Sequence, residues 1–364
     1  MNVGIVRRRF AVAGGAELYV QRLLSELMVA GHTPHLLTED WDCAPEGVHV
    51  HRVEKCGIRA NRTAFFADEV ERKLSGLKLD CVLSLERTRR QTVFRAGDGV
   101  YGAWLEERKR HATWWRRPFT GRGRFDSEVI RCEDEAYCST NTGSIIVNSE
   151  MVRRDILRFY KFPPERIHLI RNGVDSHRMA SVDREEARDY FGISAREFVI
   201  CFVGSGWERK GLRYVMQAVK RVSRGRNVRL LVAGKGRRPI FAEKNVTFLG
   251  PVERIEMVYG ASDLLVTLPI YEPSANVVSE ALCAGLPVVT SRRNGAAELI
   301  AEGQNGSVVE FADDVQQASE ALDFWISRDR GPMRLTESEL TQHSVARNVQ
   351  ETVSLLRSVA SAAW

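Results

Sequence analysis

Along this chain short, solid apolar runs alternate with longer stretches in which apolar residues recur every three to four positions. The first pattern suits a strand buried on both faces, the second a helix with one face on a core. Asn2 to Val6 reads as a strand, Ala16 to Val29 as a helix, His35 to Thr38 as a strand and Ala64 to Leu77 as a helix. Cys81 to Ser84, Gln91 to Arg95 and Ser144 to Val147 add strands, and Ile167 to Ile170 closes the half. After Asn172-Gly173 the rhythm restarts. Strands are predicted at Phe198 to Val203, Arg229 to Ala233, Val246 to Leu249, Leu264 to Thr267 and Pro287 to Thr290, with a helix opening at Leu212. This βαβ order predicts two parallel, doubly wound sheets in tandem. Val345 to Ser361 has helical spacing and either closes the second domain or reaches back to the first.

Composition sharpens the picture. A chain of 364 residues suits two cores of roughly 170 residues each, here placed at 1–172 and 173–364. An apolar share of 44% with 27% charged residues belongs to a folded globular protein. No apolar stretch approaches a membrane span and charge begins at Arg7, so neither a spanning helix nor a cleavable signal peptide is expected, and the location expected is cytoplasmic. The seven cysteines are scattered without Cys-x-x-Cys spacing, which argues against a disulfide framework or a zinc site. Most of the net charge of +6 lies in residues 1–170, with an excess there of about +5. An anionic partner is expected for that half.

In doubly wound sheets ligands lie beyond the carboxyl ends of the strands. Two segments stand there in the second half. Tyr271-Glu272-Pro273-Ser274-Ala275-Asn276-Val277-Val278-Ser279-Glu280 follows a predicted strand and enters a helix, whose first amides near Ala275, Asn276 and Val277 are expected to face an anion. Glu280 is four residues after Asn276, on the same helical face and about 6 Å along the axis. A carboxylate there chelates a vicinal diol while the helix end holds a phosphate, the layout a nucleoside diphosphate needs. Glu272 is then placed on the sugar side. Two isolated glutamates would more often be a solvated helix face and a surface turn. What changes the odds is Gly204-Ser205-Gly206-Trp207-Glu208-Arg209-Lys210-Gly211, again between a strand and a helix, with glycines for close backbone approach and a cation pair to neutralise a diphosphate.

Together these segments resemble the retaining glycosyltransferases of family four, whose signature is two glutamates separated by seven residues, as are Glu272 and Glu280. The resemblance implies an α/β protein of the GT-B fold, two Rossmann-like doubly wound domains facing a cleft. It also implies that Glu280 holds the ribose hydroxyls, that Glu272 contacts the donor sugar and that Arg209 and Lys210 grip the diphosphate. Gly234-Lys235-Gly236 resembles the nucleobase-side loop, which places Lys235 at the donor, and Asn172-Gly173-Val174-Asp175 resembles the interdomain segment. Ala284 to Val289 and Asn294 to Glu298 also look like family segments. The chain departs from many members in having Ser274-Ala275 after Glu-Pro instead of Phe-Gly. Nothing fixes the base, so uridine is a default.

In the first half, Gly14 and Gly15 resemble the family loop that approaches the donor phosphates and the acceptor, although an ordinary strand-to-helix turn has the same glycines. Arg95 to Tyr101 resembles the strand-end segment of the family's lipopolysaccharide-core glucosyltransferases, in which an aspartate faces the acceptor. Asp98 is the candidate, though an Asp between two glycines is by itself more often a turn residue. Residues 104–125 interleave seven Arg and Lys with Trp104, Trp114, Trp115 and Phe119. Such a composition suits an anionic membrane surface, nucleic acid, or a solvated basic helix with buried aromatics. The resemblance favours membrane, because its acceptor is a lipid-anchored or otherwise anionic glycan, and no nucleic acid is then expected. Asp40-Trp41-Asp42 is formally a metal motif but lies in the half without the donor, and no histidine pair has ligand spacing. The enzyme expected transfers a hexose, by default glucose from UDP-glucose, with retention, without metal or resident cofactor, from the inner face of the membrane. A nucleotide-sugar epimerase of the same fold and a non-catalytic basic binding protein are the rival classes.

Overall fold

The computed structural model describes residues 1–9, 15–41, 44–58, 61–238, 243–328 and 335–360, with side chains for all of these but 15–18. The chain divides into two compact units, Met1–Asn172 with Val345–Trp364, and Gly173–Ser344. In unit one the elements run β1 (Asn2–Val6), α1 (Gly15–Val29), β2 (Thr33–Thr38), β3 (His49–Arg52), α2 (Arg62–Leu74), β4 (Cys81–Ser84), β5 (Gln91–Arg95), α3 (Tyr101–Arg110), α4 (Arg124–Ala136), β6 (Thr142–Val147), α5 (Glu150–Phe159) and β7 (Ile167–Leu169). Unit two follows with α6 (Ser176–Ala180), α7 (Arg184–Tyr190), β8 (Phe198–Val203), α8 (Leu212–Val222), β9 (Val228–Ala233), β10 (Val246–Gly250), α9 (Ile255–Ala261), β11 (Leu264–Thr267), α10 (Asn276–Cys283), β12 (Val288–Ser291), β13 (Gly306–Val309), α11 (Val315–Ser327) and α12 (Glu337–Gln342). The last helix, α13 (Val345–Ala360), returns to unit one.

Among the described residues unit one has a seven-stranded sheet in the order β3-β2-β1-β4-β5-β6-β7, and unit two a six-stranded sheet in the order β10-β9-β8-β11-β12-β13. Every strand pair is parallel. Burial on both faces explains the solid apolar strands: Val199 to Phe202 of β8 and Leu264 to Val266 of β11 have no exposed surface. In each sheet the strand order reverses once, between β1 and β4 and between β8 and β11. The loops leaving those strands therefore diverge and open the crevice in which such sheets bind ligands.

Helix α13 belongs to unit one because its stripe of Val345, Val349, Val353 and Leu356 completes the core formed by Leu23, Leu24 and Leu27 of α1. A buried hydrogen bond from the Tyr19 hydroxyl to Thr352 Oγ1, at 3.2 Å, adds a fixed point. Two strands lack the apolar pattern that marks the others. β3 is a largely exposed edge strand of sequence HVHR, and β13 opens with glycine and is four residues long. Helix α2 stops at Leu74, short of the predicted Leu77, where Ser75 and Gly76 take up a turn.

Candidate active site

The switch point of unit two gathers the residues that the sequence pattern selects. The loop from Gly204 to Gly211 leaves β8 with left-handed backbone at Gly204, Gly206 and Gly211. A Cβ on Gly211 would lie 1.8 Å from the Leu268 carbonyl oxygen, and one on Gly234 2.2 Å from the Gly204 carbonyl oxygen. No side chain fits at either place. Ser205 and Lys235 tie the two loops together, the Lys235 amide donating to Ser205 Oγ at 3.0 Å and the Gly206 amide to the Lys235 carbonyl at 3.1 Å. Trp207 locks the turn from below, its indole N–H donating to the Gly204 carbonyl at 3.0 Å and its ring lying against Gly236 and Phe248.

Arg209 and Lys210 converge on one oxygen of Glu272: Arg209 Nη1 at 2.6 Å and Lys210 Nζ at 3.2 Å. Lys210 and Glu272 are nearly enclosed, with side chains 12% and 13% exposed, whereas Arg209, though paired with Glu272, is 39% exposed to solvent. Gly204 permits this, since the stem of Lys210 lies across it where a Cβ would be. The Ile270 amide donates to the Arg209 carbonyl at 3.0 Å, so the cation loop and the segment leading to Glu272 are held as one piece.

The backbone of Glu272 is in turn fixed by the segment after β12. Its amide donates to the Arg293 carbonyl at 2.8 Å, and its carbonyl accepts from the Gly295 amide at 2.9 Å. Asn294, 1% exposed, is the clamp: its Oδ1 accepts from the amides of Ala275 at 3.1 Å and Ala296 at 3.2 Å, and its Nδ2 donates to Thr290 Oγ1 at 3.0 Å. The expectation of an anion-facing amide at Ala275 needs correction, because Asn294 takes that amide to fix the start of α10. The amides of Asn276 and Val277 then form the first turn of the helix.

One face along α10, Glu280 accepts a hydrogen bond from the Tyr259 hydroxyl at 2.6 Å. Burial raises the pKa of this carboxyl, against the opposing pull of the Tyr259 hydroxyl, Lys210 and Arg178. Burial and the neighbouring Glu280 hold Tyr259 well above its ordinary value, so it stays a donor. Sequence pattern points to neither Tyr259 nor Asn294 as a working part, since each acts through a partner distant in the chain.

In unit one, Asp98 sits at the tip of the turn after β5, closed by the Gly97 amide on the Arg95 carbonyl and the Gly99 amide on the Ala96 carbonyl. Its side chain is 78% exposed and 3.9 Å from Arg87 Nη1. Arg87 is anchored by Glu133, a fully buried carboxylate that also accepts from the Tyr101 amide at 2.8 Å and the Tyr160 hydroxyl at 2.9 Å. Glu133 thereby occupies the amino end of α3 and fixes the Asp98 turn beside it. Gly15 opens α1, and Gly14 lies outside the described residues.

Of the aromatics in residues 104–125, Trp114 is 81%, Phe119 76% and Trp115 52% exposed, whereas Trp104 of α3 is half-buried. Arg116 lies over the Trp115 ring at 4.6 Å, and Arg117 pins the loop through the carbonyls of Ala112 and Arg110. The rings of Trp114, Trp115 and Phe119 are not part of a core. Asp40 is engaged by Lys55 Nζ at 2.8 Å, and Asp42 lies outside the described residues. Among the described residues no cluster of three or more His, Cys, Asp or Glu is placed to hold a metal, and no helix is long and apolar enough to cross a membrane.

Known proteins resemble this chain in sequence pattern and in fold. The sequence pattern of the group 1 glycosyl transferases matches residues 197–327, which hold the whole cluster of Gly204, Arg209, Lys210, Glu272 and Glu280, and that of glycosyltransferase family 4 matches residues 104–178. The chain thus carries the group 1 and family 4 glycosyltransferase patterns on an α/β fold of the GT-B type. It is 26% identical over 361 residues to the lipopolysaccharide glucosyltransferase WaaG of Escherichia coli (strain K12), spanning 94% of each chain. The crystal structure of WaaG superposes with a TM-score of 0.77 at 22% identity over 98% of each chain. HepE of Anabaena, solved in complex with UDP-glucose, superposes with a TM-score of 0.65 at 16% identity over 99% of this chain and 97% of its own. This glycosyltransferase thus has its cation loop and both glutamates on the switch-point edge of unit two.

Proposed function

We propose that this glycosyltransferase moves a hexose, glucose by first choice, from a uridine diphosphate donor to a lipopolysaccharide-core or related anionic glycan, with retention of configuration. The observation that carries the reading is the convergence of Arg209 and Lys210 on Glu272 beside the buried Glu280. A nucleoside diphosphate sugar presents a diol, two phosphates and a hexose in series. Glu280 accepts from the ribose diol, the first turn of α10 with Arg209 and Lys210 takes the diphosphate, and Glu272 faces the sugar. The ligand held by HepE and the glucosyl transfer named for WaaG support this choice of donor and acceptor.

As the glycosidic bond lengthens, negative charge grows on the departing phosphate, and the two cations stabilise it where it forms. The departing phosphate oxygen takes the proton of the incoming acceptor hydroxyl on the same face, which accounts for retention without a protein nucleophile. Two cations also do the work of a divalent ion, so neither a metal nor a resident cofactor is required. Asp98, exposed at the carboxyl edge of the unit-one sheet, orients the acceptor. Trp114, Trp115 and Phe119, with the surrounding arginines, seat the enzyme on the anionic inner face of the membrane that carries such a glycan.

The test is calorimetric titration with UDP, UDP-glucose and nucleotide sugars of other bases, followed by turnover in excess EDTA with the anomeric configuration of the product read by NMR. The reading requires preferential binding of a uridine donor, activity without metal and a product of unchanged configuration. Loss of turnover on chelation, restored by manganese or magnesium, would overturn the metal-free mechanism.

A further inference from the structure

Tyr259 lies in α9 with no exposed surface, and its phenol donates to Glu280 Oε2 at 2.6 Å. A tyrosine serving only to fill a core is no better than phenylalanine, and a buried hydroxyl is costly unless paired. Here it is paired, at a distance typical of a bond to an ionised acceptor. We propose that Tyr259 is the positioning residue of the nucleotide site, its hydroxyl holding Oε2 so that the Glu280 carboxylate meets the ribose diol in one fixed orientation. The proposal rests on the assignment of Glu280 to the ribose.

The same bond governs the charge of the site. The groups facing Glu280 come from several elements: Tyr259 of α9, Lys210 of the loop before α8, Arg178 of α6 and Cys283 of α10 itself, with Cys201 of β8 beside Tyr259. Burial drives the Glu280 carboxyl toward its neutral form, whereas Tyr259, Lys210 and Arg178 oppose it. Burial keeps both thiols and the phenol protonated, so none of them competes as an anion. A ribose diol must donate to Glu280, and a protonated carboxyl accepts poorly. Nucleotide binding therefore has an acid limit set by Glu280, and loss of the Tyr259 hydroxyl moves that limit to higher pH.

The experiment titrates UDP calorimetrically from about pH 5 to about pH 8 into the wild type, Tyr259→Phe, Glu280→Gln and the double variant. Tyr259→Phe keeps the ring and removes only the hydroxyl. It is expected to weaken UDP about tenfold at neutral pH, the scale of one hydrogen bond to an ionised group, and to shift the acid limit upward. Glu280→Gln is expected to weaken UDP and flatten the pH dependence, and adding Tyr259→Phe to it to cost little more. A Tyr259→Phe variant that binds UDP like the wild type across the range overturns the proposal. So does a Tyr259→Phe effect undiminished in the Glu280→Gln background, which would mean the hydroxyl acts on the fold and not through Glu280. If Glu280→Gln alone leaves UDP binding unchanged, the assignment of Glu280 fails instead.

Discussion

Glu272 rests against two cations through a single oxygen, so the charges that the proposed donor diphosphate would use are already gathered in the structure. Removing one of them by Arg209→Ala should lower kcat about 10²- to 10³-fold while leaving the fold intact, because the guanidinium is half exposed and acts on charge that grows in the transition state. Steady-state kinetics with saturating donor give the answer, and an unchanged kcat removes Arg209 from the chemistry. Glu280→Ala should instead weaken donor binding by about 1.5 to 3 kcal/mol, the range for a hydrogen bond to a charged group. Unaltered donor affinity in calorimetry would remove Glu280 from the site. Glu272, Glu280, Arg209 and Lys210 were singled out from sequence by two motifs in one domain and by the family resemblance, and the structure brings Arg209 and Lys210 onto Glu272. Tyr259, Asn294 and Glu133 were not singled out, since their partners lie 21, 19 and 32 residues away along the chain and only the fold brings them together.

At the scale of elements, the segments leaving β8, β11 and β12 are held as a unit by glycines that admit no side chain and by the Asn294 clamp. Asn294→Ala leaves the buried amides of Ala275 and Ala296 without an acceptor and should destabilise the protein by about 2 kcal/mol. Equilibrium urea unfolding measures this, and a wild-type midpoint would show that the clamp is dispensable. Strands β2 and β3 carry a different liability. His35 Nδ1 lies 3.0 Å from His51 Nε2, and His49 stacks on His35. Burial, and then the neighbouring histidines, depress the pKa of His35, while burial, His49 and Lys73 depress that of His51. With folded values below the unfolded one near 6.5, the unfolded chain binds more protons as pH falls through that value, so stability is lost on acidification. The melting temperature should drop between about pH 7.5 and about pH 5, and less steeply in His51→Gln; equal slopes would clear the cluster. The solid central strands were predicted nearly residue by residue, whereas β3 escaped because an exposed edge strand needs no apolar run.

For the molecule as a whole, the basic excess of the first half finds its place in the exposed segment around Trp114, Trp115 and Phe119. If this segment seats on an anionic bilayer as proposed, its electrostatic attraction would be screened over about 8 Å in physiological salt, whereas ring insertion would not. Replacing Arg116, Arg117, Arg122 and Arg124 by Ser should therefore reduce sedimentation with anionic liposomes at low salt, and Trp114→Ala with Trp115→Ala should remove the salt-resistant remainder. Wild-type protein that fails to sediment at low salt would leave the segment to the acceptor glycan. The two-sheet architecture was legible from strand rhythm alone, but the return of α13 to unit one was not, because its apolar stripe fits either core on pattern. The most direct test of the central claim is a transfer assay with UDP-glucose labelled in the glucose and a truncated lipopolysaccharide core as acceptor. Wild-type enzyme is expected to move label into the glycan and release UDP, with Arg209→Ala largely inactive. Conversion of the donor alone into another nucleotide sugar, with no label in the glycan, would contradict the account.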